Sequence, residues 1–385
     1  MNAVFERPPI WRRAARVFVG FDGPLMGAIA WLAAIGLVAM YSAGFDHGTR
    51  FVDHGRNMLI ALAVLFLVAQ VPPQKLERLA VPLYTLGVLL LVATALFGLS
   101  RKGATRWLDV GVTVIQPSEV LKIAAPLMLA WWFQRRDGQR RTSDFVVAAL
   151  LLALPVALVA RQPDLGTSLL ILFSGLYVIF FAGLSWKLVL PALAVVVLGA
   201  GALVFFSTDI CQPDVTWPVL REYQRHRVCT LLDPTADPLG KGFHIIQGMI
   251  AIGSGGLAGK GFMQGTQTHL EFIPERTTDF IFAAFSEEFG LIGVVLLAAG
   301  FVFLIFRGLM IAADAPTTFT RLLAGAVTMS FFSYAFVNMG MVSGILPVVG
   351  VPLPFISYGG TAMVSLGLGL GILMSVARNR RLMPS

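Results

Sequence analysis

Charge is missing from long stretches of this chain, and the gaps recur along its whole length. Windows without Asp, Glu, Lys or Arg run over 23–45, 57–74, 79–100, 123–134, 145–160, 165–186, 188–208, 289–306 and 322–377. An ionised side chain is costly in a hydrocarbon core, so such windows read as membrane spans. The window 123–134 is short but extends back through Lys122 and Glu119 to Gln116, and 289–306 extends back through Glu288 and Glu287 to Asp279. A span needs roughly 20 residues. The 56 residues of 322–377 therefore hold two helices and a loop rich in Pro and Gly around 342–357. The pattern predicts an all-α polytopic integral membrane protein with ten transmembrane helices, a single domain over 1–385.

Orientation follows from the basic residues of the short loops. Sixteen of them fall at one side, Arg7, Arg12, Arg13, Arg16, Lys75, Arg78, Arg135, Arg136, Arg140, Arg141, Lys187, Arg307, Arg321, Arg378, Arg380 and Arg381, against six in the short loops of the other, Arg50, Arg56, Arg101, Lys102, Arg106 and Arg161. Both termini are expected in the cytoplasm, with the first span an uncleaved anchor and Trp11 at headgroup level. One long outer loop, 209–278, then falls between helices 7 and 8. Its stretch 243–252 (FHIIQGMIAI) reads as an interfacial or half-inserted helix. Cys211 and Cys229 lie in this loop, and on an oxidising face they are expected to pair.

Composition agrees and excludes other classes. Hydrophobic residues make up 57% of the chain and charged ones 13%, against roughly 25% charged in soluble domains. Mean hydropathy is +0.79. The net charge of +8 does not indicate nucleic-acid binding, because no dense basic run is interleaved with aromatics. Two Cys exclude a disulfide scaffold, and 29 Phe with 7 Trp exclude a disordered chain.

The informative residues are ionisable groups at the membrane boundary. In Gln116-Pro117-Ser118-Glu119-Val120-Leu121-Lys122, Pro117 fits a first helical turn, and Glu119 and Lys122 share a face. This pair serves either helix insertion or substrate binding. Arg101, Lys102 and Arg106 precede it, suiting an anionic ligand or lipid headgroups, with Trp107 as an anchor. Arg161-Gln162-Pro163-Asp164-Leu165-Gly166 is a tight turn that turn chemistry alone explains. Glu275, Arg276 and Asp279 close the long loop, and Glu287 and Glu288 follow on the next helix, one of them expected to be buried and hydrogen-bonded. A loop from Asn338 to Ala362 ends in Ser357-Tyr358-Gly359-Gly360; such breaks are tolerated at membrane depth when buried or lining a cavity. All five places converge on the outer leaflet and point to a wet, charged cavity open to the outside. Gly253-Ser254-Gly255-Gly256-Leu257-Ala258 matches a loose dinucleotide pattern, but with no strand before it the segment reads as a flexible turn. The five His are scattered without zinc-site spacing.

At these places the chain resembles the SEDS family of bacterial cell-wall polymerases, which includes RodA, FtsW and SpoVE. The C-terminal signature is met by Asn338, Gly344, Pro347, Gly350 and the run Phe355 to Ala362. Residues 102–107, 116–122, 162–167 and 274–282 match as well, so the resemblance covers essentially the whole chain and is closest to the RodA branch. Thr277 stands where His is usual, so that His is not the indispensable base. The resemblance implies polymerisation of lipid II into glycan strands during elongation, with inversion at the donor carbon and loss of polyprenyl diphosphate. It implies Asp279 as the catalytic carboxylate, supported by Glu119, Lys122 and Asp164. Arg101, Lys102, Arg106, Gln116, Ser118, Glu275, Arg276, Ser357 and Tyr358 are the further substrate-binding candidates. A divalent cation, Mg or Mn, is a possible aid to the leaving diphosphate; no organic cofactor is expected. The implied partners are a class B penicillin-binding protein and other elongation proteins, with no nucleic acid, and the implied location is the bacterial inner membrane with a periplasmic active site.

The alternative is a lipid II flippase. A transporter needs polar groups near the midplane and broken helices in related halves, whereas here the chemistry gathers at one surface. A scaffold for wall synthesis is compatible with either reading but leaves the charged cavity unexplained.

Overall fold

Helix formation follows the charge-poor windows. The computed structural model describes residues 20–382 apart from 47, 102–103, 110–113, 213–214, 216, 218–221, 238–239 and 274. Trp11 and Lys102 fall outside the described residues, as does the Arg101 side chain. The helices are α1 Gly23–Ala43, α2 Arg50–Ala69, α3 Pro73–Phe97, α4 Pro117–Gln134, α5 Thr142–Arg161, α6 Leu165–Phe181 and α7 Trp186–Phe205. Short helices α8 Ser207–Ile210, α9 Glu222–Leu232, α10 Lys241–Gly255 and α11 Thr266–His269 follow. The chain ends with α12 Ile281–Ala313, α13 Thr318–Val342 and α14 Gly360–Leu382. Among the described residues, 8 helices are long and apolar enough to cross a membrane, and Leu165–Phe181 is apolar but shorter.

Local signals explain the ends. Asp22 caps α1 by accepting from the Leu25 amide, and Asp164 caps α6 by accepting from the Thr167 amide at 3.2 Å. Pro73 and Pro117 open α3 and α4, where a missing N–H costs nothing. The helices bury stripes rather than whole surfaces. In α2 the buried positions are His54, Met58, Ala61, Leu65 and Ala69, while Leu59 and Leu67 remain exposed. Apolar residues on both faces suit a helix whose outer solvent is hydrocarbon. The core runs along α13 and α14, which bury 72% and 67% of their apolar windows, whereas α7 buries none. Helices α2 and α14 pack backbone to backbone: a Cβ at Gly367 would stand 2.3 Å from the Ala61 carbonyl oxygen.

Two features depart from the expectation of helices alone. Residues 99–115 carry a small antiparallel sheet in the order β1 (Leu99–Arg101), β2 (Ala104–Asp109), β3 (Val114–Ile115). A segment too short for another helix thus pairs its own backbone groups where it caps α3 and α4. The second departure is in α12, which breaks at Gly290 with φ 61°. There Gly253–Ala258, expected as a flexible turn, instead ends α10 at Gly255 and is docked, together with the residues up to Gly261. Lys260 N donates to Glu287 O and Gly261 N to Glu288 O, while Leu291 N donates to Gly256 O and Ile292 N to Leu257 O. The backbone groups freed by the break are paired by this turn segment after α10, which is what a break at membrane depth requires.

The long segment after α7 is structured. Cys211 and Cys229 are joined in a disulfide with Cα atoms 5.6 Å apart. Arg227 on α9 donates to the Val348 carbonyl, and α10 packs along α12. Outside the spans, hydrogen bonds from the Thr235 hydroxyl and amide hold the Asp233 carboxyl below the usual carboxylate range.

Candidate functional site

Asp279 stands in the turn immediately before α12, half-buried. The turn folds on Glu275, whose carbonyl accepts from the amides of Thr278 and Phe280, and whose φ of 53° makes the reversal. Three tethers fix it to the loop between α13 and α14. Asn338 of α13, fully buried, donates its Nδ2 to Asp279 O at 3.0 Å and to Val351 O at 2.7 Å. Ser357 Oγ donates to Thr278 O at 2.7 Å while accepting from Leu353 N at 2.8 Å. Tyr358 N donates to Thr277 O at 2.8 Å. The Asp279 carboxylate lies against Gly350, where a Cβ would come 3.3 Å from Oδ2 and where φ is 74°. Glycine there admits both the backbone turn and the close carboxylate.

The N-terminus of α6 abuts the same loop. A Cβ at Gly166 would be 2.6 Å from Val349 O. Its cap, Asp164, also takes Gln116 Nε2 at 3.2 Å and has Arg106 Nε at 3.8 Å, while Arg106 donates to the Pro163 carbonyl. The segment 349–350 is therefore flanked by the Asp164 end of α6 on one side and by Asp279 on the other.

Glu119, half-buried, and Lys122, buried, form an ion pair of 2.8 Å in α4. Ser365 Oγ of α14 donates to Glu119 Oε2 at 2.8 Å, and the Lys122 ammonium sits 5.5 Å from the Tyr334 ring centre. Tyr334 is one turn from Asn338 on α13, so one helix carries the residue that meets Lys122 and the residue that holds Asp279. Beside the pair a groove of about 590 Å³ runs between α2, α3, α4 and α14. Its apolar wall includes Leu83, Ile123 and Leu368, and its polar groups include Asn57, Gln116, Glu119 and Ser365. The groove thus combines an apolar wall with a small set of polar groups.

Not every expected residue reaches this centre. Arg276 is buried but turned to α1, donating to Ala43 O at 3.1 Å, pairing with Asp46 and lying over Phe45. Glu275 is exposed and accepts from Thr278 Oγ1 at 2.9 Å. Ser118 is buried in the first turn of α4. Arg101 lies in β1. Glu287 and Glu288 are both buried and both bonded, where one such group was expected. Glu287 accepts from Lys260 Nζ at 2.6 Å, Gln267 N at 2.9 Å and Thr268 Oγ1 at 3.0 Å; Glu288 accepts from Ser42 Oγ at 2.5 Å. These acids anchor the 255–269 segment to α12. Asn57, which lines the groove, was not singled out in the sequence because it directly follows the polar run Asp53-His54-Gly55-Arg56 at the start of α2. Among the described residues no cluster of three or more His, Cys, Asp or Glu stands close enough to hold a metal ion.

Residues 24–382 match the Cell cycle protein family model that spans FtsW, RodA and SpoVE. The chain belongs to this family. It is 48% identical over 359 residues to "Peptidoglycan glycosyltransferase MrdB" of Escherichia coli K12, covering 93% of this chain and 94% of that one. It is 30% identical to "Peptidoglycan glycosyltransferase RodA" of Treponema pallidum, covering 92% and 97%. Among solved structures, a chain from work on the structural coordination of polymerization and crosslinking by a peptidoglycan synthase complex matches with a TM-score of 0.76 and 34% identity. It covers 94% of this chain and 99% of that chain. Thermus thermophilus RodA matches with a TM-score of 0.68 and 28% identity, covering 94% and 98%. The tethers around Asp279 are thus built from the residues that gave this family its signature in the sequence.

Proposed function

We propose that the chain is a peptidoglycan glycosyltransferase that polymerises lipid II into glycan strands during cell elongation, with Asp279 as the general base. The observation that carries this reading is the clamped Asp279 at the same end of the bundle as a hydrocarbon-lined groove with a polar head. The relatives named for the same activity support it.

A sugar hydroxyl is a weak nucleophile at neutral pH, so a carboxylate must take its proton as the bond forms. The 4-hydroxyl of one GlcNAc attacks C1 of a MurNAc; the C1–oxygen bond to the diphosphate breaks, and the hydroxyl proton passes to Asp279. One displacement inverts the anomeric carbon, so no covalent nucleophile is needed. The groove holds the polyprenyl tail. Asp164 and the Glu119–Lys122 pair keep the surrounding backbone and helices in register, and Gln116 and Glu119 meet the polar head. Ten helices cross the bilayer, both termini are cytoplasmic, and Asp279 faces the periplasm. A class B penicillin-binding protein is the partner, in keeping with the synthase complex that holds a similar chain.

The test is polymerisation of lipid II by purified protein, with and without that partner. Asp279→Ala is expected to lose at least ~100-fold in rate, the usual share of a general base. If Asp279→Ala polymerises as fast as the parent, the assigned role is wrong.

A further inference from the structure

The diphosphate of a polyprenyl carrier has two negative charges or more to place, and most basic groups near the groove are already committed. Lys122 is bound by Glu119. Arg106 is engaged by Asp164 and the Pro163 carbonyl. Arg276 is taken by Asp46 and the end of α1. Arg50, the first residue of α2, is different: among the described residues it enters no ion pair. Its guanidinium lies 4.4 Å from the centre of the Tyr358 ring and is half-buried.

The position of that stacked pair is specific. Asn57 lines the groove from the same face of α2, seven residues on, which is two turns or about 10 Å along the axis. Gly360, two residues after Tyr358, lines it from α14, and a Cβ there would stand 3.6 Å from Asn57 Nδ2. Arg50 and Tyr358 do not themselves line the groove; they stand beyond its Asn57–Gly360 end, Arg50 two turns before Asn57 on α2 and Tyr358 two residues before Gly360. An aromatic ring fixes the plane of a guanidinium and leaves its N–H edges free. Those edges match phosphate oxygens in bidentate fashion. The groove itself offers Asn57, Gln116 and Glu119, none of them a cation.

We propose that Arg50, stacked on Tyr358 at the mouth of the groove, binds the diphosphate of the polyprenyl carrier. The proposal rests on the glycosyltransferase reading and supplies the charge contact that the groove lacks. Arg50 holds the head of the substrate so that the sugar is delivered toward Asp279, while Lys122 remains a fixed structural partner of Glu119.

The test uses the full chain in phosphatidylcholine nanodiscs, titrated with undecaprenyl diphosphate and with uncharged undecaprenol. The parent is expected to prefer the diphosphate by about tenfold or more, as for one charge-assisted contact. Arg50→Gln should lose that preference and Arg50→Lys keep part of it. Arg56→Gln, on the same helix but exposed and paired with Asp53, should keep all of it. Retention of the full preference by Arg50→Gln overturns the proposal. So does displacement of undecaprenyl diphosphate by an equal concentration of phosphatidylglycerol, which would mean a site for any anionic headgroup. Lipid II polymerisation by the same samples separates the two claims. A parent that polymerises, with an unaltered Arg50→Gln, removes only Arg50; a parent that neither binds nor polymerises removes the glycosyltransferase reading as well.

Discussion

Replacing Asn338 with Leu would test how far the site depends on one buried amide. Leu keeps the branching of the side chain but is bulkier, so the change removes the hydrogen bonds, opens no cavity and adds some overpacking at this buried site. Two backbone carbonyls, those of Asp279 and Val351, lose donors at 3.0 and 2.7 Å. Each orphaned buried acceptor costs about 1–3 kcal/mol, so the clamp weakens by about 2–6 kcal/mol. That is enough to let the Asp279 turn leave the 349–351 segment for part of the time. Misplacing a catalytic group by roughly 1 Å costs about 100-fold, so the rate of lipid II polymerisation should fall by at least ~10-fold. Asn338→Asp sharpens the test. Its carboxylate would face two carbonyl oxygens at neutral pH, whereas its protonated form restores one donor. Activity relative to the parent should therefore rise as pH falls from 8 to 6. An Asn338→Leu protein that polymerises at the parental rate, with an unchanged thermal midpoint in detergent, would refute the clamp.

Three further outcomes follow from the same geometry. Glu119→Gln should destabilise by about 3–5 kcal/mol, because it leaves the buried Lys122 charge unpaired, and Lys122→Met by less, because Glu119 is half-buried and keeps the Ser365 hydroxyl. The double variant should cost less than their sum; additive thermal shifts would count against the pair. Opening the Cys211–Cys229 link, which closes a separation of 18 residues, should loosen the segment after α7 by about 3 kcal/mol, seen as faster proteolysis within 207–240 under reductant. Gly290→Ala should destabilise by at least ~2 kcal/mol, since a Cβ there would lie 2.3 Å from Gly259 N at a φ of 61°; a parental melting curve would contradict the docked segment.

Most helices were legible because a charge-free window and a bilayer impose the same length. Even the 322–377 stretch divided where its Pro and Gly residues said it should, into α13 and α14. The break in α12 was not legible. It depends on Gly256 and Leu257 pairing with Leu291 and Ile292, and periodicity within one helix carries no trace of backbone partners 35 residues away. The partners of Arg276, a substrate-binding candidate from the sequence, were hidden for a similar reason: Asp46 and the Ala43 carbonyl reach it from far along the chain. Asn338 was recognisable as part of a motif, yet its work on Asp279 became visible only once two loops were seen to share its Nδ2.

The Gly290 break also settles what sets the depth of the site. A continuous α12 of 33 residues would run about 50 Å, well beyond a hydrocarbon slab of about 30 Å. Divided at Gly290, it leaves a distal half of residues 291–313, about 35 Å long, and a proximal half of residues 281–289, about 13 Å long. Asp279 stands at the head of the proximal half, which is pinned by Lys260 and Gly261 rather than by lipid. A thicker or thinner bilayer would be absorbed by tilt of the distal half. The Asp279 turn is tied through Asn338, Ser357 and Tyr358 to the α13–α14 loop, so its place relative to that loop does not depend on how the distal half of α12 tilts.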